Sequence, residues 1–183
     1  MPTPSPLLSS ASTVVDSVLF RDAFGTPRMR EIFSDKALVG RYNEVEVALA
    51  RAEARCGVIP AEAAEAIARE SRLERIDFEH MRHETDIVGY PILPLVHQLV
   101  AMCGEAGRYL HWGATTQDIM DTANVLQLRA ALELVDSDIR ELREILAGLA
   151  RKHRDTPMAG RTHLQQALPV TFGYKAAIWL AMF

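Results

Sequence analysis

The sequence predicts an all-α protein, and three observations carry that expectation. Almost every periodic segment repeats its apolar residues three or four apart. No stretch alternates apolar and polar residues for long enough to make a strand. One apolar seam holds helical spacing through eight successive positions.

The elements follow in order. Residues 1–16 contain Pro, Ser and Thr but no Lys or Arg ahead of the short apolar part, so they read as a disordered leader and not as a secretory signal. Over 36–56, Leu38, Tyr42, Val45, Leu49, Ala52 and Cys56 form one stripe, and Gly57 stops the helix. Pro60 suits the first turn of an Ala/Glu-rich helix to about residue 71, polar enough to lie on the surface. Asp77 is a candidate N-cap for a helix to about residue 84, followed by an irregular Gly89-Tyr90-Pro91. Over 91–103 the residues Ile92, Leu95, Val96, Leu99 and Val100 make one stripe, closed by Gly104.

Val125, Leu128, Leu132, Val135, Ile139, Leu142, Leu146 and Leu149 then alternate spacings of three and four. This seam predicts a helix over 115–153, roughly 55 Å long at 1.5 Å per residue. A helix of that length needs partners along it, from a bundle, from other copies of the chain, or from both, and oligomerisation is the favoured reading. Residues 170–183 form a last apolar helix with Phe172, Tyr174, Ile178, Trp179 and Leu180. It has no closing Gly, basic turn or polar tail, and so reads as a helix cut short. The expected division is a leader over 1–16, an N-terminal helical domain over 17–112, and the first part of a long-helix bundle over 113–183.

Composition narrows the class of function. Apolar residues are 49% and charged residues 24%, which fits a globular chain and excludes disorder, collagen and low-complexity classes. The net charge of −4 comes from 20 basic and 24 acidic residues spread along the chain, which argues against nucleic acid as a partner. No apolar run approaches the ~20 residues that span a bilayer, so no membrane partner is expected. Cys56 and Cys103 form no CxxC and read as buried small hydrophobes in a reducing compartment, the cytoplasm.

Two polar clusters could carry chemistry. In His111-Trp112-Gly113-Ala114-Thr115-Thr116-Gln117-Asp118, two hydroxyls and an amide surround the free N–H groups of a helix start, a place for a carboxylate or phosphate. A capping box, Thr115-x-x-Asp118, explains part of the same pattern without a ligand. In Gly160-Arg161-Thr162-His163-Leu164-Gln165-Gln166, a polar cluster stands between two apolar helices where core is expected. There His163 beside the Thr162 hydroxyl could transfer a proton near neutral pH, or could be a structural His in a turn. His80 and His83 are three apart with Glu84 next, not the HExxH spacing, and no metal is expected. No GxGxxG, phosphate loop or GxSxG occurs, so no cofactor is expected either.

These two stretches resemble the first and second conserved regions of the fumarase/aspartase superfamily, which includes adenylosuccinate lyase, argininosuccinate lyase and 3-carboxy-cis,cis-muconate cycloisomerase. The stretch from Pro27-Arg28-Met29-Arg30 to Glu44-x-Glu46-x-Ala48-Leu49-Ala50-x-Ala52-Glu53 is similar to the N-terminal domain of the cycloisomerase and adenylosuccinate lyase branch. The resemblance implies a homotetramer built on a central bundle of long helices, with each active site shared between subunits. It implies that Thr115, Thr116 and Gln117 hold a carboxylate of a small dicarboxylate substrate with His111 nearby. His163 would protonate the departing group, with Thr162 as its catalytic neighbour.

The reaction implied is acid/base β-elimination from a dicarboxylate or succinyl adduct, or the related cycloisomerisation. The superfamily's base is usually a serine in a third region, Gly-Ser-Ser-x-Met-Pro-x-Lys-x-Asn, which these 183 residues do not contain. Alone they are therefore expected to be inactive, and a non-catalytic helical oligomerisation module is the alternative. Ala23-Phe24-Gly25-Thr26-Pro27-Arg28-Met29 and Thr85-Asp86 depart from the adenylosuccinate lyase patterns and weaken a nucleotide substrate. The N-terminal stretch leans toward the cycloisomerase branch, while His163, which several cycloisomerases lack, keeps an eliminating lyase open.

Overall fold

The computed structural model describes residues 13–183. Residues 1–12 of the expected leader lie outside them, while at 13–16 a turn forms in which the Thr13 hydroxyl donates to Asp16 at 2.9 Å. The fold is all-α, as the sequence predicts, and the chain groups into two compact units divided between Ala131 and Leu132.

In the first unit α1 (Pro27–Ile32) is capped by Thr26, whose hydroxyl accepts the Met29 N–H at 3.3 Å, with Pro27 at its first position. Helix α2 (Asp35–Arg55) starts at Ser34, which accepts the Ala37 N–H at 3.2 Å. Its buried residues are Val39, Tyr42, Glu46 and Ala50. The core-facing stripe is therefore turned from the one expected: Leu38, Val45 and Leu49 flank it, partly buried, and a glutamate stands inside it.

Helix α3 (Ala61–Glu70) corrects an expectation. It is not a surface helix, because Ala63, Ala64 and Ile67 are buried, and its small residues let it pack closely on α2. Helix α4 (Phe78–Val88) is capped by Asp77, which accepts the His80 N–H at 2.9 Å. It runs past residue 84, since Thr85 turns its hydroxyl back to the Met81 carbonyl at 2.7 Å and so adds no unpaired polar group. Gln98 of α5 (Ile92–Cys103) holds Asp77 at both backbone ends, accepting its N–H at 2.8 Å and donating to its carbonyl at 3.1 Å.

The cysteines separate. Cys103 is buried with its sulfur 3.7 Å from the Ser71 hydroxyl, as expected, but Cys56 is exposed because it follows the last turn of α2, beyond the core. Ile67, Ile92, Leu95, Leu99 and Ile119 form the fully buried centre. Ile119 and Ala123 belong to α6 (Thr116–Lys152), so the first turns of the long helix complete this core. Gln127 of the same helix is buried and donates to the Ile32 carbonyl at 2.8 Å.

In the second unit the later turns of α6 are followed by two nested hairpins and α7 (Phe172–Leu180). The strands are dipeptides: β1 (Pro157–Met158) pairs with β4 (Val170–Thr171), and β2 (Arg161–Thr162) with β3 (Gln165–Gln166), all antiparallel. Two-residue ladders leave no alternation in a sequence, which is why none was expected there. Thr171 caps α7 by accepting the Tyr174 N–H at 3.1 Å. Phe172 packs edge-on against the His153 ring at 5.1 Å, joining the two helices of this unit.

Gly107, in the short 3-10 turn after α5, is fixed by contact. A Cβ there would lie 2.5 Å from the Val100 carbonyl oxygen. Gly107→Ala is expected to destabilise the protein by ~1–3 kcal/mol, the usual cost of forcing an atom into a packed site, read as a lower urea midpoint.

Candidate functional site

The first motif lies wholly in the first unit, between the 3-10 turn Gly104–Tyr109 and the start of α6. His111 takes a positive φ of 58°, and Gly113 one of 67°, so the chain doubles back twice before entering the helix. Thr115, Thr116 and Gln117 stand at one helix start, with His111 on the turn that precedes it. The Asp118 carboxylate accepts the Thr115 N–H at 2.9 Å, which is half of the capping box that the sequence left open. Gln117 donates to Asp121 at 2.6 Å, and the Thr122 hydroxyl donates to the Asp118 carbonyl at 2.6 Å.

Beneath this turn stands a feature that sequence reasoning missed. Glu46 of α2 is 1% exposed and lies 2.6 Å from His111 Nδ1 through its Oε1. Among the described residues its Oε2 is buried without a hydrogen-bond partner, as is Glu53 Oε2 two turns further along the same helix. Burial pushes the Glu46 carboxyl up from its ordinary value, and His111 offsets part of this. Burial and then the charge on Glu46 push Glu53 up as well. Glu53, Trp112, Gly113, Asp118 and Thr122 line a cleft of about 620 Å³ floored by Val45 and Leu49. The signal was available in the sequence: an acid at the 3–4 spacing inside an apolar stripe, repeated seven residues later.

The second motif lies wholly in the second unit, and it is exposed, not core. Arg161 and Thr162 pair with Gln166 and Gln165, leaving His163 and Leu164 as the two turn residues, with φ of 39° and 64°. Such a turn normally takes Asn-Gly, because both positions need the left-handed region. A histidine and a γ-branched leucine there are strained, and strain kept in a structure clusters at functional sites. Gly160 makes the nesting possible, since a Cβ on it would collide with the Leu168 carbonyl oxygen, and its own carbonyl accepts the Ala167 N–H at 2.9 Å. Thr162 and His163 thus share one hairpin, and the other four expected residues stand at one helix start or on the turn that precedes it.

A family model described as Lyase matches residues 22–183. Among curated proteins the chain is similar to trans-aconitate decarboxylase 1 of Mycosarcoma maydis, 49% identical over 163 residues that make up 88% of this chain and 33% of that one. It is also similar to N-acetyl-S-(2-succino)cysteine lyase of Dickeya dadantii, 44% identical over 94% of this chain and 38% of that one. Among solved structures it matches a fumarate lyase from Mesorhizobium sp. BNC1 at 63% identity and a TM-score of 0.80, over 84% of this chain and 36% of the other. The chain therefore spans between a third and two fifths of the length of these relatives.

Two outcomes test this geometry. Glu53 is neutral, folded or unfolded, below the ordinary carboxylate range near pH 4. Above its raised value the fold must hold a charge its surroundings disfavour, so stability present in acid is lost as pH rises. Glu53→Gln should therefore gain in urea midpoint over the native protein from acid to neutral pH, and a pH-independent difference would contradict the assignment. Leu164→Gly should stabilise the second unit by about 1 kcal/mol, the left-handed penalty relieved less the entropy glycine adds to the unfolded chain, measured by thermal unfolding.

Proposed function

The chain belongs to the Lyase family, in the branch of the fumarase/aspartase superfamily that holds the cycloisomerases and adenylosuccinate lyases, and from that premise we propose that the whole protein is a lyase. It cleaves a small dicarboxylate or succinyl adduct by acid/base β-elimination. A base outside the two motifs takes the proton from the carbon next to a carboxylate. Two negative charges then develop on that carboxylate, the bond to the leaving group breaks, a carbon–carbon double bond forms, and His163 delivers a proton to the leaving group. The dianion needs clustered donors, and the hydroxyls of Thr115 and Thr116, the Gln117 amide and His111 are of the right kind.

The strained hairpin is the observation that carries this reading. Holding His163 and Leu164 in the left-handed region lowers stability, which a scaffold has no reason to accept and an acid at an exposed tip does. It argues against a purely structural module. His163 also favours elimination over cycloisomerisation, where no amine has to be protonated. The succinylated substrate in the name of the Dickeya dadantii relative supports the substrate class.

The working assembly is a homotetramer with active sites shared between subunits, a reading supported by the seam on α6, where Val125 is 61% and Leu132 65% exposed. No helix among the described residues is long and apolar enough to cross a membrane. The two free thiols support the cytoplasm as its place. The reading requires no cofactor or metal.

His163→Ala in the whole protein should slow release of the unsaturated product, followed by its ultraviolet absorbance, by ~10²–10⁴-fold and leave the sedimentation of the assembly unchanged. Undiminished turnover removes His163 from the mechanism, and a native protein that releases nothing from any succinyl adduct removes the reaction class.

A further inference from the structure

We propose that Glu46 positions His111 by holding it in a pair that carries two protons, one inside the Glu46–His111 hydrogen bond and one on Nε2, so that the ring presents an N–H donor to a substrate carboxylate. This deepens the function proposed above and rests on it for the ligand, though not for the state of the ring.

The geometry leaves few alternatives. The Glu46 side chain is fully enclosed, on the inner face of α2 between Tyr42 and Ala50, with one oxygen 2.6 Å from His111 Nδ1 and the other unpartnered. An isolated carboxylate in that position is among the costliest groups a core can hold. If His111 were neutral with its proton on Nδ1, the pair would carry a net negative charge there, and Nε2 would be bare. With a second proton the pair is neutral, whether the shared proton sits nearer oxygen or nitrogen, and a buried site holds a neutral pair at lower cost than a net charge. Burial of Glu46 acts in the same direction, since it favours the form without net charge.

The surroundings add to this. Glu53 stands seven residues further along α2, and burial first, then the charge of Glu46, pushes its carboxyl up, so the two acids disfavour being charged together. Asp118, which lines the cleft with Glu53, is committed to the Thr115 N–H. Arg108, the nearest cation before the motif in sequence, lies over the Tyr109 ring at 4.9 Å. His111 keeps 18% of its side chain exposed while Glu46 keeps none. With Nδ1 occupied, Nε2 is the ring nitrogen left for a ligand, and His111, at positive φ, stands on the turn that leads to Thr115 and the start of α6.

Two variants and one spectrum in the whole protein test the inference. Glu46→Leu fills the volume but gives Nδ1 no partner, whereas Glu46→Gln still offers an N–H to Nδ1 and so keeps the proton on Nε2. The Leu variant should raise KM by about 10–100-fold with kcat changed far less, and the Gln variant should restore most of the native KM. A packing role predicts the opposite order, because an apolar side chain replaces a buried charge at little or no loss of stability. A native KM in Glu46→Leu overturns the proposal.

Nitrogen-15 NMR of the native protein reads the ring directly. A protonated Nε2 at neutral pH is the expected result, and a bare Nε2 overturns the inference even in an active lyase. A protonated Nε2 in a protein without lyase activity leaves the pair standing and removes the function above.

Discussion

A carboxylate placed inside an apolar helix face has to be answered by something, and Glu46 is answered by His111. The first motif is arranged around that requirement. For the imidazole to reach Nδ1-first into the α2 face, the chain must turn back on itself, and His111 and Gly113 both adopt positive φ to do so. The turn then delivers the chain at the start of α6, where Thr115, Thr116 and Gln117 follow at once. The buried acid and the helix start are thus two ends of one stretch of chain: the core holds the His111 ring, and the Thr115 and Thr116 hydroxyls follow at the surface end, exposed and half-buried.

The second motif solves the opposite problem. Among the described residues His163 has no buried partner; it is held out by the backbone, on a two-residue turn that its side chains do not favour. The cost is carried by the outer ladder β1–β4 and by the packing of Phe172 on His153, which clamp the ends of the hairpin. One histidine is oriented by a side chain and the other by main chain, and that difference suits a ligand-holding group and a proton donor. A donor must stay free to exchange its proton, and a binder has to keep its own.

Much of this fold was legible because helix boundaries have local chemistry. Asp77 as a cap and Gly57 and Gly104 as stops act within one turn, and the sequence shows them directly. The interior of α2 was harder. Its apolar residues satisfy two overlapping stripes, and a reading that counts only apolar positions chooses Leu38, Val45 and Leu49 and passes over Glu46. Packing decides between the stripes: the face bearing Val39, Tyr42, Glu46 and Ala50 is the one that becomes buried, and α3 packs on α2 with its own Ala63, Ala64 and Ile67 buried. The same alanines made α3 look like surface, since small residues carry little hydrophobic signal while permitting the closest contact. The residue types of the two motifs were readable, but the strain at His163 and the pairing of His111 were not, because both are relations set by tertiary structure.

The long helix ties these points to the seam. In its first turns α6 buries Ile119, Ala123 and Gln127 in the N-terminal core, a stripe four residues apart. Val125 and Leu128 stand on another face and stay open. A helix that serves its own core through one face has that face fixed in rotation, so the directions of Val125 and Leu128 are settled before any partner arrives. The residues at the helix start are fixed by the same rotation. Whatever covers Val125 and Leu128 therefore meets this stretch of α6 in one defined rotation, set by the buried contacts of Ile119 and Ala123.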